Sequence, residues 1–222
     1  MESKILAKTL SGNKIEVFEF SKKAEKSVLI IGGVHGDEKE AIYVTEKLLK
    51  CDEVQKLSDN LNIFILPKLN PDGCAKNTRQ NSNGVDLNRN MPTKDWTSIS
   101  YKEKYNPGPS PSSEIETKTL INLIEEIKPA CIISSHCYEP MINYNGACKN
   151  LAKRMSEFNG YKITDNIGYP TPGSLGTWAG IERGIPVITF EIESCSGDQF
   201  AWEFHKPAIL AGIQFISEND NL

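Results

Sequence analysis

Three short stretches gather the side chains that could do chemistry. From Ile30 to Glu40 the chain reads IIGGVHGDEKE, an apolar run that breaks at two glycines and then presents His35, Asp37 and Glu38. A second apolar run, ACIISSH, ends at His136, and a third, IPVITFEIE, carries Glu191 and Glu193. Two imidazoles and two carboxylates are the makeup of a catalytic zinc site, with an open position for water and a carboxylate to take its proton. In H-x-x-E, two intervening residues in a turn let an imidazole and a carboxylate meet on one ion, and Gly36 keeps the bend feasible. Taken alone, Asp37 and Glu38 would also pass for acids that favour a helix start. The chain has only three histidines, so two at strand ends are informative. His205 falls in a helical tail and reads as structural or solvent-exposed.

The middle of the chain adds cations. NPDG, Asn70 to Gly73, has the Pro and Gly placement of a turn. Beyond it come Arg79 and GVDLNRN, Gly84 to Asn90. Arg89 and Asn88 could clamp a carboxylate, the first through paired N–H donors and the second through its amide. Arg79 could face a developing oxyanion, and Asp86 could orient a ligating imidazole. A polar surface loop would contain the same residue types, so these assignments depend on what surrounds them.

The elements that must position these groups alternate along the chain. KILAKTL and KIEVFEF read as two strands joined by SGNK. SVLIIGGV, NIFILPKLN, ACIISSH and IPVITFEIE are apolar runs of the kind that form strands buried on both faces. Helices are expected at 38–50, at 112–128 with Ser113 and Glu116 in capping-box spacing, at 151–158 and at 173–184, closed by Gly184. A last helix over 199–217 contains Pro207, which predicts a bend or break. Residues 70–111 lack periodicity, and a stretch that long inside a compact domain is usually functional or disordered. The pattern predicts one α/β/α sandwich domain over residues 1–222, built on a mixed, mostly parallel sheet. In such sheets ligands gather outside the carboxyl ends of the strands, where His35, Glu38, His136 and Glu191 fall.

Composition narrows the function. The formal net charge of -4 comes with no Lys/Arg cluster, which disfavours a nucleic-acid surface. No apolar run approaches the roughly 18 residues of a membrane span, and the N-terminus does not read as a signal peptide. The six cysteines show no C-x-x-C pair, so reduced thiols in a cytoplasm are expected.

HGDE, NPDG, GVDLNRN, SSH and TFEI occur in the order seen in zinc carboxypeptidases of the M14 type, and together they span Gly32 to Glu191. The chain resembles that family. The resemblance implies one Zn2+ per chain, bound by His35, Glu38 and His136, with Glu191 as general base and acid. It also implies that Arg79 polarises the scissile carbonyl and stabilises its oxyanion, that Asn88 and Arg89 hold a substrate carboxylate, and that Asp86 supports His35. Strand alternation puts Glu191 and Glu193 on one face and does not choose between them; the family placement of TFE points to Glu191.

The stretch from Ile167 to Glu191 is similar to the compact murein peptide amidases of this family. That likeness implies hydrolysis of the γ-D-glutamyl–meso-diaminopimelate amide bond in murein peptides, a step in cell-wall peptide recycling. Spacing does not select among Tyr138, Tyr144 and Tyr169 for a tyrosine that closes over substrate. Cys137 reads as a small buried residue. The alternatives are an N-acyl amino acid hydrolase of the succinylglutamate desuccinylase and aspartoacylase group, which shares H-x-x-E and D-x-N-R, and a non-catalytic zinc- or peptide-binding protein.

Overall fold

Alternation sorts the residues of the central strands onto two faces, and each face meets helices. The computed structural model describes residues 1–20 and 24–222. Its strands are β1 (Glu2–Lys8), β2 (Lys14–Phe20), β3 (Ser27–Ile31), β4 (Asn62–Leu66), β5 (Cys131–Tyr138), β6 (Met141–Asn145), β7 (Lys162–Thr164) and β8 (Val187–Glu193). They form one eight-stranded sheet in the order β1-β2-β4-β3-β5-β8-β6-β7. The pairs β3/β4, β3/β5, β5/β8 and β6/β7 are parallel, and β1/β2, β2/β4 and β6/β8 are antiparallel.

Val28 and Ile30 of β3 pack with α1 (Lys39–Leu48), α5 (Lys149–Asn159) and α6 (Asp198–Glu218), through Val44, Met155 and Ile213 among others. Leu29 and Ile31 pack on the opposite face with Leu120, Leu123 and Ile124 of α4 (Ile115–Ile127) and with Trp178. Each fully buried aliphatic side chain stabilises such a sandwich by about 1.5–3 kcal/mol. The fold is the expected α/β/α sandwich on a mixed sheet.

Several local expectations are corrected. NPDG is not an isolated turn: Asn70 caps α3 (Pro71–Lys76), its side chain accepting from the Gly73 N–H at 2.8 Å, with Pro71 in the first turn. The Ser113–Glu116 capping box does not form; Glu114 is the cap residue, and the Ser113 hydroxyl donates to Glu114 instead. Residues 173–184 yield a short π-helix, Gly176–Ile181. α6 runs through Pro207 unbroken. Pro207 and Glu203, whose carbonyl loses its helical partner, are both exposed, so water can take the bond. The short α2 (Asp52–Leu57), β6 and β7 were not anticipated.

The order of β4, β3 and β5 creates the site. From β3 the chain crosses to β4 on one side, whereas β5 pairs with β3 on the other. The loop after β3 therefore leaves the sheet at a topological switch point, where a crevice opens.

Candidate active site

His35 and Glu38 lie in the loop that follows β3, one turn before α1. That loop is pressed against α3: a Cβ on Gly36 would lie 1.9 Å from the Gly73 carbonyl carbon, and the Gly36 N–H donates to the Thr78 carbonyl at 3.0 Å. Only glycine permits this approach, which turns the imidazole and carboxylate toward the end of β5. His136 stands there, and its register partner on β8 is Glu191.

The three expected ligands converge. His35 Nδ1 lies 2.7 Å from Glu38 Oε1, His136 Nδ1 lies 3.0 Å from Glu38 Oε2, and the two Nδ1 atoms are 3.2 Å apart. One potential ligand atom from each residue falls within 4.8 Å of the others. The far nitrogens are engaged elsewhere, His35 Nε2 with Asp86 Oδ1 at 3.0 Å and His136 Nε2 with Ser134 Oγ at 3.1 Å. A carboxylate accepting from Nε2–H leaves the Nδ1 lone pair of His35 for a cation. Two inward imidazole nitrogens and a carboxylate are the donor set that zinc prefers, so these residues fit the ion.

The charges are mutually perturbed. Burial disfavours a charged His35, but Glu38 and Asp86 outweigh it and raise its pKa to about 9. His136 faces Ser134 rather than a second carboxylate, and burial lowers its pKa. Burial also works against ionised Glu38 and Asp86, yet the imidazoles beside Glu38, and His35 and Arg79 beside Asp86, hold both carboxyls well below the usual range. Among the described residues Glu191 forms no ion pair, and the charges of His35 and Arg79 act on it only at a distance. Burial and the negative charge of Glu38 push it up to about 8, and its Oε2 is buried without a hydrogen bond. Glu193, two residues on, is exposed and does not line the cavity.

Arg79 is anchored on Asp86 Oδ2 through Nε at 3.0 Å and Nη2 at 2.9 Å, leaving Nη1 3.6 Å from Glu38. Arg89 is buried and donates to the Asn88 carbonyl at 2.6 Å. The Asn88 side-chain oxygen accepts from the Leu175 N–H at 2.9 Å, which leaves its amide N–H2 free to donate. A Cβ on Gly173 would sit 2.1 Å from the Arg89 carbonyl oxygen, and Gly173 has a φ of +75°, so glycine is needed for this loop to pack on Asn88 and Arg89.

His35, Glu38, Arg79, Asn88, Arg89, His136 and Glu191 all border one cavity of about 830 Å3, and Asp86 lies behind it. Tyr138 and Tyr169 also line it, their ring centroids 6.1 Å apart, whereas Tyr144 packs against the core. Cys137 is half-buried on its wall, and all six cysteines are free. His205 is fully buried beneath Tyr161 and Phe190, away from this cavity. Sequence reasoning overlooked Tyr105, Ser134, Asn143 and Thr189. Alternation could have found Ser134 and Thr189, each two residues before a site residue on its strand; nothing in the sequence marks Tyr105.

The family model described as zinc carboxypeptidase matches residues 1–207. The chain belongs to the zinc carboxypeptidase family. As a member of it, the protein is a metallopeptidase, and its His–Glu–His cluster is in keeping with the family's zinc dependence. Murein peptide amidase A of Vibrio campbellii is 33% identical over 219 residues, covering 93% of this zinc carboxypeptidase and 85% of the relative. Murein peptide amidase A of Escherichia coli K12 is 30% identical over 210 residues, covering 86% and 81%. The crystal structure of murein-tripeptide amidase MpaA from Escherichia coli O157 superposes with a TM-score of 0.77 at 26% identity, over 96% of this chain and 92% of that one. Carboxypeptidase A from Helicoverpa armigera superposes with a TM-score of 0.82 at 19% identity, over 99% and 69%, a likeness of fold alone. Among the described residues, no helix is long and apolar enough to cross a membrane.

Proposed function

We propose that this zinc carboxypeptidase hydrolyses the γ-D-glutamyl–meso-diaminopimelate amide bond of murein peptides in the cytoplasm, as a single catalytic domain with one Zn2+ held by His35, Glu38 and His136. Support for the substrate comes from the two relatives named murein peptide amidase A, each aligned over more than four-fifths of both chains. The observation that carries the chemistry is the placement of Glu191: a buried carboxyl with one oxygen unpartnered among the described residues, on the strand position paired with His136 and beside three converging ligands.

A zinc ion held there would supply Lewis acidity toward a carbonyl and make a water acidic enough to serve as nucleophile near neutral pH. Glu191 takes the proton that water loses and returns it to the departing amide nitrogen. Arg79, fixed by Asp86, turns its remaining N–H donors to the carbonyl oxygen as negative charge develops there. Arg89 and the free amide of Asn88 hold the carboxylate of the leaving diaminopimelate. Its second amino-acid head extends into the polar remainder of the cavity.

The test is mass spectrometry of L-Ala-γ-D-Glu-meso-diaminopimelate incubated with zinc-loaded protein, with N-succinylglutamate as the control. Free diaminopimelate is the expected product. Deacylation of the control with the tripeptide intact would move the protein to the acylase reading, and no reaction with either by zinc-loaded protein would overturn hydrolysis altogether.

A further inference from the structure

One aromatic ring touches both guanidinium groups of the site. The Arg79 and Arg89 Cζ atoms each lie 5.2 Å from the Tyr105 ring centroid, with Lys104 Nζ at 5.0 Å. Tyr105 sits in a 3-10 turn, Glu103–Tyr105, within the aperiodic segment. That turn is strapped to the loop carrying Arg79 and Asp86. Gln80 Nε2 donates to the Glu103 carbonyl at 2.8 Å, the Asp86 N–H donates to the Asn106 carbonyl at 2.8 Å, and Asn106 Nδ2 donates to the Gly84 carbonyl at 2.8 Å. The ring is therefore built into the same hydrogen-bonded unit as the two arginines.

The arginines differ in what else holds them. Arg79 has Asp86 on one edge. Arg89 forms no ion pair among the described residues; its hold is the Asn88 carbonyl and the Tyr105 ring. A buried guanidinium with a single hydrogen bond keeps several rotamers open unless something flat occupies its face. An aromatic face does so and also attracts the charge.

We propose that Tyr105 is a positioning residue that sets the plane of Arg89 and its spacing from Arg79, which Asp86 already fixes, so that Arg89 matches a free carboxylate on the leaving residue. This rests on the hydrolytic reading above. The ring face does the positioning; the phenol hydroxyl does not take part. Substrates that use Arg89 depend on it most, and a substrate whose leaving residue carries an amide instead of that carboxylate depends on it little.

The experiment compares wild type, Y105F, Y105L and Y105M on the zinc-loaded chain, with the tripeptide and its analogue amidated at the carboxylate beside the scissile amide. Zinc content and thermal unfolding identify variants that have lost the fold, and Y105M stands in if Y105L does not fold. The expected result is that Y105L loses roughly three- to thirtyfold in kcat/KM on the tripeptide, mostly through KM. On the amidated analogue it stays within about twofold of wild type, and Y105F restores the tripeptide rate. In an R89A background, Y105L has little left to remove. Equal losses in Y105F and Y105L would overturn the role of the ring face, and equal losses on both substrates would reduce Tyr105 to general support. A wild type inactive on every substrate would instead defeat the hydrolytic reading and leave these ratios undefined.

Discussion

His136 and Glu191 are register partners on the parallel strands β5 and β8. The shared pleat brings a proposed metal ligand and a proposed proton acceptor onto one face without any loop between them. Rigid strands hold both, so their separation does not depend on a flexible segment. Glu191 makes no hydrogen bond through Oε2, whereas Glu38 is ringed by imidazoles. Two carboxyls in one cavity are thus pushed in opposite directions, the pattern that separates a proton-transfer group from a ligand. Glu191→Gln removes the base but keeps the shape. The expected outcome is unchanged zinc content and a fall in kcat of about 100-fold or more, read by metal analysis and steady-state kinetics. Full turnover in that variant would refute the assignment.

Asp86 is fully buried and serves both His35 and Arg79. Asp86→Asn keeps an acceptor but weakens the charge that orients the imidazole. Zinc affinity is expected to fall by roughly 10- to 100-fold, measured by competition with a chromophoric chelator. Zinc binding also stabilises the folded chain by mass action, by about 2.7 kcal/mol when free metal is 100 times its Kd. Removing the metal should therefore lower the wild-type Tm, and by less in the variant when both are measured at the same free zinc.

Gly36 is set by backbone contact rather than by chemistry. An added Cβ would run into the Gly73 carbonyl carbon at 1.9 Å, and neither is the end of a flexible side chain. Gly36→Ala is expected to cost about 1–3 kcal/mol in urea unfolding and to weaken zinc binding, because His35 and Glu38 must move with the loop. Wild-type stability in this variant would mean the two segments can separate at no cost.

His205 packs among Tyr161, Phe190 and Phe204, outside the cavity, and offers a separate titration. Burial lowers its pKa from 6.5 to about 4, with Nδ1 unpartnered and Nε2 3.3 Å from the Tyr161 hydroxyl. The unfolded chain takes up a proton near pH 6.5 that the folded chain refuses until about pH 4. The stability His205 confers is thus complete above pH 6.5 and drains away as pH falls toward 4. In His205→Phe, unfolding free energy should vary less between about pH 6.5 and 4.5 than in wild type, measured by urea titration of zinc-loaded protein at each pH. An unchanged slope would assign the acid sensitivity to other groups.

The sequence by itself determined the sandwich and the places where ionisable groups leave it. Apolar runs such as SVLII and CIISS have only one good destination, a strand buried on both faces, and the polar residues after them fall at the carboxyl ends. The tertiary structure decided the rest. β6 and β7 are short or part polar, so their pairing energy comes from a neighbouring strand and not from their own pattern. Residues 70–111 look structureless because their order is made of long-range hydrogen bonds, such as Asn90 to the Pro107 carbonyl at 2.8 Å. Glu191 was separated from Glu193 by burial, which alternation cannot supply. Tyr105 is 26 residues from Arg79 and 16 from Arg89 in the chain. Only the folding of the aperiodic segment back on itself puts that ring against both cations, since the contact is fixed by packing and not by any local preference of the residues.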